Sequence, residues 1–494
     1  MRCVMAYVKS WMVQDLAGKG GTMLTTNEMW QAIIEGNSGI SEREFLQSEI
    51  RKFLSSKDRK DMLTGRRYYK GEHDVLNKKR TTIVENGKLM ELENLPNYKI
   101  IDNQIDDLVD QKVNYMLGKP LEIKTEDDRI TDIFNRKFQR TLLNVCSDSQ
   151  IAGKGYLYPY IDANGDIAFK RLKPENILPF WRDDDHTQLD AFVYMYDMEV
   201  YTPLGANQTV TFVEFYTKDK VKYYTYQNQN LHINQEKDEQ RYINAGNVFY
   251  DWGQVPLICF KGNHIEQPII NRVKCLQDAL NDMYSMLADN MMEDSRNTIL
   301  VLKNYDGTDL ADFRQKLAQY GAVKINTVNG DGGVETLHIE VNTANYQFII
   351  HALKTAIIKN GRGFDAKDDR MANNPNQMNI MSMYSDIDLD SNQLEVEFQA
   401  SFEKMLEFIG QYYNILGSNA LDDVEFIFNK LTPVNESEII NNCRNSVGII
   451  SNETIVSNHP WTLDTNAELE RLKKEQDELM PDFVIPNGGE EHGE

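Results

Sequence analysis

The 494-residue chain is poor in cysteine, with five, at positions 3, 146, 259, 275 and 443. The count is odd and no C-x-x-C pair occurs, which argues against a disulfide framework or a structural zinc and for a reducing compartment. No apolar run approaches the roughly 18 residues that a membrane span requires. The opening MRCVMAYVKSWMV has too short an apolar stretch, and no small-residue cleavage site, for a secretory signal. A Walker-type phosphate cradle is missing, because Gly18-Lys19, Gly118-Lys119 and Gly153-Lys154 all lack the upstream glycine. H-E-x-x-H and G-x-S-x-G are also absent, and the eight histidines show no pair at ligand spacing. These gaps argue against a motor ATPase, a kinase, a zinc protease and a serine hydrolase. No cofactor and no metal are expected.

Positive charge is in deficit as well. Lys+Arg number 53 against 76 Asp+Glu, a net charge of −23. A protein that grips nucleic acid usually carries a basic patch, since phosphate neutralisation supplies most of the affinity. The distribution is uneven: residues 41–80 hold 12 basic and 7 acidic side chains, and residues 418–494 hold 5 and 16. Two readings fit: solvated faces with a charged tail, or a protein that meets DNA without holding it. With 41% hydrophobic and 26% charged residues, the chain is an ordinary globular protein of about three domains.

Residues 1–40 are poorly patterned and read as an N-terminal arm, of which 1–22 are either disordered or an upstream start. Ser41 with Glu44 makes a capping box, and Phe45, Leu46, Ile50, Phe53 and Leu54 follow at helical spacing. Ile101, Ile105, Leu108, Val109, Val113 and Met116 form one helix face that Gly118 and Pro120 end. A further helix is expected near 128–152. From 156 to 260 the period becomes two: a hairpin turns at Asn164-Gly165, a second turns at 218–220, and VPLICF is a buried strand. Polar loops are expected at 183–190 and 228–246.

Ile269, Val273, Leu276, Leu280, Met283 and Leu287 then alternate four and three apart, a narrow seam for helix-on-helix contact. A small α/β insert follows, with strands TILVLKNY, AVKINTV and VETLHI and a helix at 309–319. Residues 343–362 are helical again. The polar segment 364–377 contains Pro375, which breaks a straight helix. A long helix is expected from about 391 to 416, then a strand VEFIFNK and helices near 434–447, 451–457 and 465–480. Residues 481–494 read as a disordered tail.

Three clusters could carry chemistry. Asp183, Asp184, Asp185 and His186 resemble a metal or acid–base site, although adjacent loop residues seldom converge on one ion. Asp386, Asp388 and Asp390 alternate like a calcium loop, but the rest of that spacing is absent, which favours a charged turn. Arg66, Arg67, Tyr68, Tyr69 and Lys70 mix bases with aromatics as single-strand binders do. The plainer alternative is a helix end with packed rings and exposed guanidinium groups.

The order of elements, with RRYYKGEHDVLNKKR at 66–80, IIDNQIDDLVDQKVNYMLGKPLEI at 100–123, GKGYLYPYIDANGDIAFKRLKPENILPFW at 153–181, VPLICFKGN at 255–263, QDALNDMYSMLADNMME at 277–293 and ISNETIVSNHPWTLDTNAELERLKKE at 450–475, resembles the SPP1-type portal proteins of tailed bacteriophages. The resemblance covers about 41–480. It implies an α+β portal fold: a wing at 41–265, stem helices at 267–296 and 343–362, a clip at 297–341, a tunnel loop at 364–377, a long helix and wing return at 378–430, and crown helices at 431–480. It also implies a virion protein without enzymatic activity, in a ring of about twelve copies at a capsid vertex. Double-stranded DNA would pass through that ring. Its partners would be the terminase large subunit, a head-completion or adaptor protein, and the major capsid and scaffolding proteins, with no membrane. Lys367, Asp368, Asp369, Arg370, Asn373 and Asn374 would line the channel, and the 269–287 seam would pack the stem against neighbours. Related portals often have Ser-Gly where the tunnel loop returns to helix, and this chain has Asn376-Gln377. The competing readings are a metal-dependent nuclease of the packaging machinery using Asp183, Asp184 and Asp185, and another virion ring or tail component.

Overall fold

The computed structural model describes residues 24–83, 89–91, 95–201, 205, 207–245, 248–294, 299–303, 333–337, 343–365, 377–418, 421, 423–430, 435–462 and 465–479. The chain divides into two compact units, Met1–Gly363 with Asp390–Lys430, and Phe364–Leu389 with Leu431–Glu494.

The first unit opens with α1 (Thr26–Ile34), α2 (Glu42–Ser55) and α3 (Lys57–Tyr69). Reciprocal capping boxes start α1 and α2: the Thr25 and Ser41 hydroxyls accept from the amides of Glu28 and Glu44, whose carboxylates accept in return. Ser56 ends α2 and caps α3, so the chain turns within one residue. The expectation of a poorly patterned arm over residues 1–40 is therefore corrected from Thr26 onward. Trp30 supplies the reason, since it is buried among the rings of Phe45, Phe180 and Phe215 at 5.9, 6.2 and 5.3 Å.

α1 and α2 cover one face of an antiparallel sheet of order β10-β9-β8-β7-β6. Its strands are β6 (Ile177–Trp181), β7 (Leu189–Tyr201), β8 (Asn207–Tyr216), β9 (Val221–Gln227) and β10 (Asn230–Ile233). Alternation assigns the faces: Ala191, Val193, Met195, Val213 and Phe215 meet α1 and α2, while Phe192, Tyr216 and Val221 join a second cluster with Tyr156, Leu172 and Leu257. β10 and the short β11 (Ile243–Ala245) fall where a polar loop was expected, and β11 pairs with β12 (Val248–Tyr250). Hairpins form at both expected turns. The first joins β4 (Lys154–Ile161) to β5 (Ile167–Leu172), beside β13 (Ile258–Lys261).

The largest core joins α4 (Gln104–Leu117), α6 (Arg136–Ala152), α7 (Ile270–Asp294), α8 (Thr343–Gly361) and the later part of α9 (Gln377–Ile415). The single helix expected at 128–152 is two, α5 (Asp128–Ile133) and α6, because Asn135 breaks the run and caps α6 through the amides of Lys137 and Phe138. Gly153 ends α6 in the left-handed region, and a Cβ there would lie 2.0 Å from the Glu266 carbonyl oxygen. β1 (Thr81–Ile83) pairs with β2 (Leu89–Glu91), β3 (Glu122–Lys124) with β16 (Glu425–Ile427), and β14 (Ile299–Lys303) with β15 (Gly333–Leu337). The two outer strands expected in the insert thus pair with each other. Its expected helix at 309–319 and strand AVKINTV lie outside the described residues, as do 1–23 and 480–494.

In the second unit α9 begins at Gln377, fourteen residues before the expected start near 391. Asp386, Asp388 and Asp390 therefore stand on a helix and not in a charged turn, because Ile380, Met383, Tyr384 and Ile387 repeat at helical spacing and are buried. The Gln377 amide donates to Glu438 and the Gln377 side chain accepts from the Asn435 amide, both at 2.8 Å, which ties this end to α10 (Glu436–Asn445). α11 (Asn452–Ser457) and α12 (Thr465–Leu479) follow at the expected places. Among the described residues no helix is long and apolar enough to cross a membrane.

Candidate functional site

α7 carries two stripes. One is the apolar seam. The other is polar: Gln277, Asn281, Ser285 and Asp289, four residues apart and each no more than 6% exposed. Buried polar side chains need partners, and the segment 98–104, which leads into α4 at Gln104, supplies them. Its alternate amides donate down the stripe: Tyr98 to Asp289 at 2.7 Å, Ile100 to Ser285 at 3.0 Å, Asp102 to Asn281 at 3.1 Å and Gln104 to Gln277 at 3.0 Å. Four helical residues advance about 6 Å and two extended residues about 6.6 Å, so each turn of α7 meets the next inward amide.

The ladder continues sideways into a second layer. Asn281 Nδ2 donates to His73 Nδ1 at 2.7 Å, which places the imidazole proton on Nε2, 3.0 Å from the Tyr68 carbonyl and 3.1 Å from Asn103 Oδ1. Burial lowers the His73 pKa and favours that neutral form. The Tyr68 ring stacks on His73 and its hydroxyl donates to Asp278 at 2.5 Å. Lys274 bridges Asp278 and Asp74 at 2.7 and 2.6 Å, and together with Arg67 it holds Asp74 well below the usual carboxylate range.

The single-strand-binder reading of Arg66–Lys70 is thereby corrected, while the helix end with packed rings holds. Tyr68 is fully buried. Arg66 is turned inward as well, with a bidentate pair to Glu175 at 3.0 and 2.9 Å and a bond to Asp148 at 2.7 Å. Neither a stacking platform for bases nor a row of exposed guanidinium groups exists there; Lys70 alone of the five is exposed.

Asp183 closes a turn by accepting from the amides of Thr187 and Gln188. Asp184 and Asp185 are exposed. His186 stacks on Trp181 at 5.0 Å and meets Glu266 at 2.5 Å, where Lys154 also donates at 2.6 Å. Burial pushes the Glu266 carboxyl up, but His186 and Lys154 outweigh it and bring its pKa down to about 2. The three aspartates do not converge, and among the described residues no group of three His, Cys, Asp or Glu could hold a metal. The nuclease reading loses its site.

Asp390 is the exception among the sequence-selected carboxylates. Lys112 of α4, only 4% exposed, reaches both its carboxylate and the Arg362 carbonyl; Arg362 donates to it at 2.8 Å and Arg272 stands 3.7 Å away. Burial acts to raise the Asp390 pKa, but the three cations win and hold it down.

The polar ladder ties α7 to the segment that leads into α4. It can hold long elements in register. The family model for "Phage portal protein, SPP1 Gp6-like" matches residues 55–482. The chain belongs to that family. The portal protein of Clostridium phage phiCD119 is 27% identical over 448 residues, covering 86% of this chain and 94% of its own. The portal protein of Bacillus phage SPP1 is 24% identical over 486 residues, 94% of each. A chain in the virion of a native gene transfer agent particle is similar over 71% of this chain and 87% of its own, at 11% identity and a TM-score of 0.39. The assignment rests on the sequence matches.

In this phage portal protein the seam of the expected stem is covered in part within one chain. Ile269, Val273 and Leu280 are no more than 4% exposed, in the core shared with α4 and α8, and Leu276, Met283 and Leu287 pack only partly buried on it. The apolar groups that remain outside are Met286, Met291 and Met292 of α7 and Phe348 and Ile349 of α8. The tunnel-loop residues Lys367, Asp368, Asp369, Arg370, Asn373 and Asn374 lie outside the described residues. The polar ladder was missed at the sequence level, although Gln, Asn, Ser and Asp at a four-residue repeat beside an apolar seam is a readable signal.

Proposed function

We propose that this portal protein closes into a ring of about twelve copies at one capsid vertex. Double-stranded DNA enters and leaves through that ring without being read by sequence. The observation that carries the reading is the family match across residues 55–482. On this reading residues 41–265 with part of 391–430 form the wing, α7 and α8 the stem, 297–341 the clip, 364–377 the tunnel loop and 431–480 the crown. The pairing of β14 with β15 supports the clip assignment, since these strands join residues on either side of an insert between two long helices.

The role is structural, with no bound cofactor and no catalysis. The clip docks the terminase large subunit and then a head-completion or adaptor protein, while the wing meets capsid and scaffolding proteins. A net charge of −23 suits a conduit, because acidic walls repel phosphates and lower friction. Negative-stain microscopy of the purified chain tests the reading. Turbine-like rings with a central hole are expected; a compact monomer at every concentration overturns it.

A further inference from the structure

The chain leaves the first unit after Gly363 and re-enters it at Asp390. The two points are held together by charge. Arg362 Nη1 lies 2.8 Å from Asp390 Oδ1, and Lys112 Nζ donates to the Asp390 carboxylate and, at 3.4 Å, to the Arg362 carbonyl. We propose that Lys112, Asp390 and Arg362 form a latch that fixes the end of α8 and the re-entering part of α9 onto α4.

Three observations converge on this assignment. Lys112 is 4% exposed, and a buried ammonium that loses its partner is strongly destabilising, so its contacts define a fixed point. Arg362 has φ +54, the left-handed conformation in which a helix usually ends on glycine. Glycine occupies the positions on either side, where a Cβ would meet the Leu108 side chain at 2.6 Å from 361 and 2.5 Å from 363. The sequence thus spends glycine on close approach to α4 and places arginine at the position whose backbone favours glycine. The guanidinium–carboxylate bond is what that arginine gains. Third, the charged groups facing Asp390 come from three separate elements: Lys112 from α4, Arg272 from α7 and Arg362 from the end of α8.

Hydrogen–deuterium exchange on the full-length chain, followed by mass spectrometry, tests the latch with two variants. Lys112→Met keeps most of the side-chain volume and removes the charge. Exchange is expected to rise about tenfold at 358–363 and at 390–396 together, with β7–β9 unchanged, because a sub-global opening is confined to the elements it releases. Arg362→Gly relieves the backbone and deletes the guanidinium. If the latch holds the ends, exchange at 390–396 rises even though the turn itself is less strained. Unchanged exchange at either end in Lys112→Met, or an equal rise across β7–β9, overturns the proposal. So does unchanged or reduced exchange at 390–396 in Arg362→Gly, which decides alone should Lys112→Met fail to fold.

Discussion

Two buried parts of the first unit are held by different physics. Under the β6–β10 sheet, Trp30, Phe45, Phe180 and Phe215 share one aromatic cluster in which each ring touches several others. Along α7, Gln277, Asn281, Ser285 and Asp289 each meet one amide. The cluster is non-directional and scales with apolar area, so it secures the attachment of α1 and α2 without dictating their position to an ångström. The ladder is directional: a rung is either made or lost. Mass belongs in the first kind of contact, and long elements that must keep register belong in the second.

Removing a large ring should break the comparison hardest. Trp30→Ala is expected to cost about 4 kcal/mol, the range for deleting a buried aromatic, and to release α1 while the ladder persists. Urea denaturation with exchange at 26–34 checks this; unaltered protection there would make α1 an appendage.

A charge-held contact sharpens the contrast. The folded-state pKa of Glu266 is lowered from 4.5 to about 2. Its stabilisation is therefore complete above about pH 4.5 and is lost as the pH falls toward 2, and it is worth roughly 3 kcal/mol. Glu266→Gln should lower stability at pH 7 and flatten the acid limb, with the two proteins converging only as the pH approaches 2. Parallel pH–stability curves would show that His186 and Lys154 contribute nothing through Glu266.

The smallest effect is expected from a single rung. Asn281→Leu leaves the Asp102 amide and His73 Nδ1 without their partner, for about 2 kcal/mol. Exchange at the Asp102 amide should rise while that of β8 stays fixed. Equal protection in both proteins would mean that the ladder follows from packing and does not direct it.

What could be read from the sequence follows the same divide. α2, α4, the two hairpins, α7 and α8 announce themselves by period, because area-driven burial repeats along the chain. α1 escaped notice because a nine-residue helix with one large buried ring gives too little repeat. The first turns of α9 were hidden by alternating aspartates and by methionines, although Ile380, Met383, Tyr384 and Ile387 carry the helical spacing. Directional partners were not legible at all. Arg66 finds Glu175 across 109 residues, and Gln277 finds Gln104 across 173. Composition makes both look like surface groups. Lys112, the single Lys or Arg of α4, looks like an exposed cation, and only the fold brings Asp390 to it.

The ladder on α7 also behaves as a vernier. Its two scales differ by about 0.6 Å per rung, the gap between four helical and two extended residues. The four bonds nevertheless stay between 2.7 and 3.1 Å with no lengthening at the outer pair, so the side chains take up the difference. A slip by one division would misalign the whole scale against its fixed mark, the Asn281–His73 bond. A helix calibrated in this way is set at one axial position.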